Sequence, residues 1–281
     1  MEPAAPSTMF RKYGLAPSKQ RGQNFLVDDN VVRKLVRAAV RPGDVVVEIG
    51  PGFGAITFRL AEVARHVVAV EFDAGIARAF RAEYGEPDGI TLVGGDILEF
   101  DFAEAARAHG ATKLVVVGNI PYSVTSPLIR RLVEFRASVA RAVLMVQREV
   151  ADRLAAGPGD PDYSALSVIV RFHALVEPLF SVRRTCFHPR PNVDSGVIEL
   201  DLEGAPDRRV DPGVFSDVVR AAFGKRRKML RQSLLEVAGG AGVSTDTLED
   251  RSGIDLSRRA ETLSLEEFEA LAVALAPGGA R

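Results

Sequence analysis

Two short stretches carry residue types suited to chemistry on a nucleobase. Asn119-Ile120-Pro121-Tyr122 offers an amide oxygen, a main-chain carbonyl and an aromatic ring within four residues. An exocyclic ring amine such as that of adenine is a poor nucleophile, because its lone pair is delocalised into the ring. Two acceptors around it, the Asn119 side-chain oxygen and the Ile120 carbonyl, favour a more tetrahedral nitrogen and expose the lone pair. Pro121 has no N–H and a fixed φ, which helps hold that carbonyl outward. Tyr122 can stack on the base, as readers of flipped or single-stranded bases require. Such a centre works by positioning an electrophile for in-line displacement, with no metal and no covalent nucleophile. On its own, the same tetrapeptide is also compatible with a rigid turn bearing a surface tyrosine.

The second stretch, Glu48-Ile49-Gly50-Pro51-Gly52-Phe53-Gly54, can turn tightly and let backbone approach a ligand. Glu71, 21 residues after Gly50, is placed to accept from both hydroxyls of a ribose. Asp96, in Gly94-Gly95-Asp96-Ile97, is placed to accept from an adenine amine. Gly50 and Gly52 with Ala55, followed by an acidic residue about 20 positions on, equally satisfy the dinucleotide fingerprint. At this point a nicotinamide enzyme stays open.

These residues fall at the ends of predicted strands. Asp28 caps a helix whose apolar positions Val31, Val32, Leu35, Val36 and Ala39 follow the helical period, and Pro42-Gly43 stops it. Val45-Val46-Val47-Glu48-Ile49 has the apolar run of a buried parallel strand. The glycine turn and a helix through Leu60 and Val63 follow, then strands over 67–70, 90–93, 114–117 and 142–146. This βα alternation predicts a mostly parallel, doubly wound sheet of the Rossmann-like kind, with ligands at the carboxyl ends of its strands. Residues 163–172 favour a helix. Residues 173–182 and 196–202 form an expected antiparallel pair closing the sheet, joined by Phe187-His188-Pro189-Arg190-Pro191. Gly204-Ala205-Pro206-Asp207 is a linker, and helices are expected over 214–223, 226–237, 245–251 and 265–274. The expected organisation is an N-terminal extension (1–22), a ligand-binding α/β domain (23–204) and a small helical domain (205–281).

Composition narrows the class. The chain has 281 residues, 47% of them apolar and 26% charged, with a net charge of −1. A single cysteine, Cys186, excludes an internal disulfide and the usual zinc sites, and it has the character of a packed bystander. Residues 1–11 lack an apolar signal-type core, and no stretch approaches the roughly 18 apolar residues of a membrane span. The expectation is a cytoplasmic monomer with no membrane partner and no metal. Charge is uneven. Lys225, Arg226, Arg227, Lys228 and Arg231 put five cations into seven residues, and Arg11, Lys12, Lys19 and Arg21 form a smaller cluster. A solvated helical face explains such a run; so does phosphate contact with a polyanion.

Taken together, the chain resembles the bacterial small-subunit (16S) ribosomal RNA adenine dimethyltransferases. The matching segments are Gln23-Asn24-Phe25-Leu26, the glycine turn, Glu71, Gly95-Asp96, Asn119-Ile120-Pro121-Tyr122, Pro189-Arg190-Pro191-Asn192-Val193-Asp194-Ser195 and Ala222-Phe223-Gly224-Lys225-Arg226-Arg227-Lys228. The resemblance implies an S-adenosylmethionine pocket at Asn24, Leu26, Gly50, Gly52, Glu71, Asp96 and Asn119. It implies Asn119 and Tyr122 at the target base, with Phe187 stacking on the other face. It further implies dimethylation of two adjacent adenines near the 3′ end of small-subunit RNA, naked or in a pre-30S particle, with Lys225, Arg226, Arg227, Lys228 and Arg231 touching RNA. Two other readings share much of this pattern: a large-subunit adenine methyltransferase of the macrolide-resistance type, and a non-catalytic RNA-binding assembly factor. The extension over residues 1–17 has no assigned role.

Overall fold

A computed structural model describes residues 1–18, 22–121, 124–208, 210–225 and 228–276. The chain divides into two compact units, Met1–Ala151 with Leu175–Gly204, and Asp152–Ala174 with Ala205–Arg281.

The first unit is built on a seven-stranded sheet. Its strands are β2 (Val45–Ile49), β3 (His66–Glu71), β4 (Ile90–Gly94), β5 (Leu114–Asn119), β6 (Val139–Gln147), β7 (Leu175–Val182) and β9 (Ser195–Asp201), in the order β4-β3-β2-β5-β6-β9-β7. All pairings from β4 to β6 are parallel, and β9 runs antiparallel to both β6 and β7. The strand order reverses between β2 and β5, which opens a crevice beyond their carboxyl ends. Every residue of β2 is buried, as expected of a central strand covered on both faces. A separate two-stranded ladder pairs β1 (Phe25–Leu26) with β8 (Phe187–His188).

Helix α2 (Asp29–Ala39) begins where Asp28 accepts from the Asn30 and Val31 amides, and its buried face is Val32, Leu35, Val36 and Ala39. After the glycine turn comes α3 (Thr57–Ala61), then α4 (Ala74–Tyr84), α5 (Phe102–Ala108) and α6 (Thr125–Glu134) between successive strands. The antiparallel closing pair expected near 173–182 and 196–202 is present as β7 and β9. The N-terminal residues also belong to this unit, with α1 (Pro6–Tyr13) burying Met9 and Phe10.

The second unit is helical and has its own core, in which Phe215, Leu230, Leu248, Phe268 and Leu271 are fully buried. Helix α7 (Arg148–Ala155) follows β6, and the second unit goes on to α8 (Ala165–His173), α9 (Pro212–Gly224), α10 (Leu230–Ser233), α11 (Leu235–Gly240), α12 (Thr245–Ser252) and α13 (Leu265–Leu275). Two expectations differ here. Residues 152–174 cluster with this unit and not with the sheet. Phe172 stacks on Phe215 with ring centroids 4.0 Å apart, and the Tyr163 hydroxyl donates to the Leu263 carbonyl at 2.9 Å. The continuous helix expected over 226–237 is also broken. Helix α9 ends at Gly224, and Lys225 has non-helical angles, φ −116° and ψ 69°. The Leu230 and Arg231 amides donate to the Arg258 and Leu256 carbonyls, both at 2.9 Å, instead of to a preceding helical turn.

Candidate active site

The crevice of the first unit holds a cavity of about 590 Å³. Among the described residues, every candidate cofactor position from the sequence lines it: Asn24, Leu26, Gly50, Gly52, Glu71, Asp96 and Asn119. Ile120, Pro121 and Phe187 line it too. Tyr122 lies outside the described residues.

The glycine turn shows why these residue types are needed. Gly50 has φ +66°, a left-handed conformation that side chains avoid, and a Cβ built there would meet nothing within 4 Å. Backbone is thus presented to open space in the cavity. Gly52 has φ +57°, and its Cβ would lie 2.9 Å from the Phe25 ring. A side chain at this point would push apart the turn and β1.

Glu71 ends β3 and is buried, with 6% of its surface exposed. Its Oε2 accepts from the Gly52 amide at 3.1 Å and its Oε1 from the Asp73 amide at 2.8 Å. The carboxylate is therefore fixed against the glycine turn. Asp73 caps α4 through the Gly75 and Ile76 amides and accepts from the Gln23 side chain at 3.2 Å. Asp96 follows β4. Its Oδ1 accepts from the Leu98 amide at 2.9 Å, and its Oδ2 has no partner among the described residues.

Asn119 is the last residue of β5. Its Nδ2 donates to the Asn24 carbonyl at 2.7 Å. Only the NH₂ side of an amide can face a carbonyl, so this bond dictates that Oδ1 is the atom left to accept. Asn24 is in turn tied to the Gly22 carbonyl at 3.0 Å. The Ile120 amide donates to Met145 on β6 at 2.9 Å, which anchors the strand end. Across the cavity wall, β1 and β8 set Phe187 opposite Leu26, with both side chains buried.

One buried acid escaped the sequence reading. Glu48 on β2 is 1% exposed, and neither its carboxyl oxygens nor the nearby Thr57 hydroxyl finds a hydrogen-bond partner among the described residues. Desolvation pushes the Glu48 pKa up to about 8, and the Glu71 charge reinforces the shift. Alternation along β2 was hidden by a run in which every position is buried, so this acid gave no signal beyond its place before the glycines.

The basic run is described in part. Arg231 is ion-paired with Asp246 and Glu249, and Lys225 with Glu236 at 3.3 Å. Lys228 is exposed, with no ion pair among the described residues. Arg226 and Arg227, and in the smaller cluster Lys19 and Arg21, lie outside the described residues. Cys186 is half-buried, its thiol 3.6 Å from an Asp28 carboxylate oxygen, and burial raises its pKa. No described helix is long and apolar enough to cross a membrane.

With this geometry in place, the relatives are informative. The sequence profile of the ribosomal RNA adenine dimethylases matches residues 16–275. The chain belongs to the ribosomal RNA adenine dimethylase family. A relative from Pelotomaculum thermopropionicum, a ribosomal RNA small subunit methyltransferase A, is 44% identical, covering 96% of this chain and 95% of its own. Another of that name from Moorella thermoacetica is 43% identical over 96% of each. Among solved structures, a dimethyladenosine transferase from Plasmodium falciparum superposes with a TM-score of 0.73 at 25% identity, over 88% of this chain and 95% of that one. The 23S rRNA methyltransferase ErmE gives 0.68 at 25% identity, over 90% and 99%. The dimethylase assignment sets aside the nicotinamide and non-catalytic readings, and the chain is an rRNA adenine dimethyltransferase acting on rRNA.

Proposed function

We propose that the cavity of the first unit binds S-adenosylmethionine and one flipped adenine, and that the protein dimethylates the exocyclic amines of two adjacent adenines near the 3′ end of small-subunit ribosomal RNA. S-adenosylmethionine, when bound, supplies the electrophilic methyl group. The wall fits such a cofactor. Gly50 presents bare backbone, Glu71 offers a buried carboxylate to ribose hydroxyls, and the unpartnered Oδ2 of Asp96 suits an adenine amine. Asn24, Leu26 and Gly52 complete that side of the pocket.

The observation that carries the reading is the pinned Asn119 amide. Because Nδ2 is committed to Asn24, Oδ1 is a preorganised acceptor that needs no reorientation when the target amine gains positive charge. An interaction that strengthens with developing charge acts on turnover more than on binding. Ile120 supplies the second acceptor, Pro121 stiffens it, and Tyr122 and Phe187 sandwich the base. The small subunit is favoured as substrate, whether as RNA or as a pre-30S particle, because the named small-subunit relatives share 44% and 43% of residues against 25% for the large-subunit enzyme. The protein acts as a cytoplasmic monomer, with Lys225, Arg226, Arg227, Lys228 and Arg231 near RNA phosphates.

The test is Asn119→Ala. Single-turnover transfer to undermethylated small subunits at saturating cofactor is expected to fall about 10²–10³-fold. RNA affinity by filter binding should stay within about threefold, since it rests on many phosphate contacts. Near-parental transfer would make the tetrapeptide a structural turn.

A further inference from the structure

Four residues of the N-terminal segment, Pro3, Ala4, Ala5 and Pro6, line the same cavity as Gly50 and Asp96. The segment is fastened at both ends of α1. At its start, the Ala4 amide donates to the Tyr84 hydroxyl at 2.8 Å, and that hydroxyl donates to the Phe53 carbonyl in the glycine turn at 3.2 Å. At its end, Lys12 and Tyr13 both bond Glu83, and Gly14 closes the helix in the left-handed conformation. Between them, Phe10 packs edge-on against Phe25 and Phe53, with centroids 5.3 and 5.1 Å away, while Phe25 and Phe53 stack on each other at 5.2 Å.

Phe25 lies between Asn24 and Leu26, and Phe53 follows Gly52. The aromatic cluster thus joins α1 to the two segments that carry the proposed cofactor contacts. An eight-residue helix has no stability of its own in water, so α1 persists only through this docking. Its docking is a local equilibrium, separate from global unfolding. A ligand that touches Pro3, Ala4, Ala5 and Pro6 does so only when the segment is docked, and therefore shifts that equilibrium toward docking.

We propose that residues 3–13 are a retaining strap of the cofactor site: bound cofactor locks the strap, and the strap slows cofactor release. This rests on the reading of the cavity as the S-adenosylmethionine site. The experiment is amide hydrogen exchange on the full-length protein with and without saturating S-adenosylmethionine, paired with stopped-flow dissociation. Exchange in residues 4–13 is expected to slow at least severalfold, together with that of residues 50–54. Tyr84→Phe, which removes the shared hydroxyl but keeps the ring, is expected to speed dissociation about three- to tenfold; Phe10→Ala should do more. Protection of 50–54 without protection of 4–13, or an unchanged dissociation rate in folded Tyr84→Phe, overturns the strap alone. Absence of protection in both segments overturns the cavity assignment and the strap with it.

Discussion

The cavity wall and the basic run hold their polar groups in opposite ways. In the cavity, each functional side chain is fixed by main-chain groups: Glu71 by two amides, Asp96 by one, Asn119 by a carbonyl. In the second unit, Lys225 and Arg231 are exposed and already neutralised by carboxylates of that unit. The first arrangement is preorganised for one geometry. The second is a screened surface whose contribution depends on exchanging one set of partners for another. Substitutions in the cavity should therefore register as affinity, turnover and pH effects, and those in the basic run as changes in salt dependence.

The largest effect on that contrast is expected at Glu48. Its pKa in the fold, about 8, lies above the ordinary value of 4.5. Below 4.5 the carboxyl is protonated in both folded and unfolded chains. Between the two values the unfolded chain ionises and the folded one does not, so folding takes up a proton. Stability then falls as pH rises across this window, by up to about 1.4 kcal/mol per unit and roughly 5 kcal/mol in all. Glu48→Gln should flatten this slope in denaturant titrations between pH 5 and 8. A parental slope in the variant means that Glu48 is ionised in the fold.

Next in size is Glu71→Ala, which should weaken S-adenosylmethionine about 100-fold by calorimetry, since charge-assisted bonds are worth about 2–3 kcal/mol. Gain of phosphorylated dinucleotide binding instead would break the assignment of the pocket. Asp96→Ala should cost about tenfold in the same assay through one lost acceptor. An unchanged dissociation constant in a folded variant removes Asp96 from the adenine site.

The smallest effects belong to the cations and sharpen the comparison within the run itself. Lys228→Ala should lower the magnitude of the log–log salt slope for subunit binding by about 1. Arg231→Ala should lower it by less, because Asp246 and Glu249 already compete for that guanidinium. Equal changes for both would show that RNA displaces the internal partners. Cofactor affinity should not change in either variant.

Much of the cavity was legible because its residues serve the backbone. Gly50 and Gly52 need left-handed angles, and Asn119, Glu71 and Asp96 sit at strand ends whose apolar runs are plain. What stayed hidden depends on distant partners. Nothing local to 152–174 announces that Phe172 stacks on Phe215, and nothing near Leu230 announces that its amide turns to Arg258. A helix was expected over 226–237, yet the Leu230 and Arg231 amides are taken by the distant Arg258 and Leu256 carbonyls. The N-terminal segment showed only its small basic cluster and no sign of its docking, since Phe10 finds Phe25 and Phe53 only once the first unit is built.

One measurement bears on the central claim directly. Undermethylated small subunits and, separately, large subunits are incubated with the protein and labelled S-adenosylmethionine, and the modified bases are mapped. The expected result is label confined to small-subunit RNA, as two methyl groups on the exocyclic nitrogen of each of two adjacent adenines near the 3′ end. Label in large-subunit RNA, at a single adenine, or at another ring position would contradict the account.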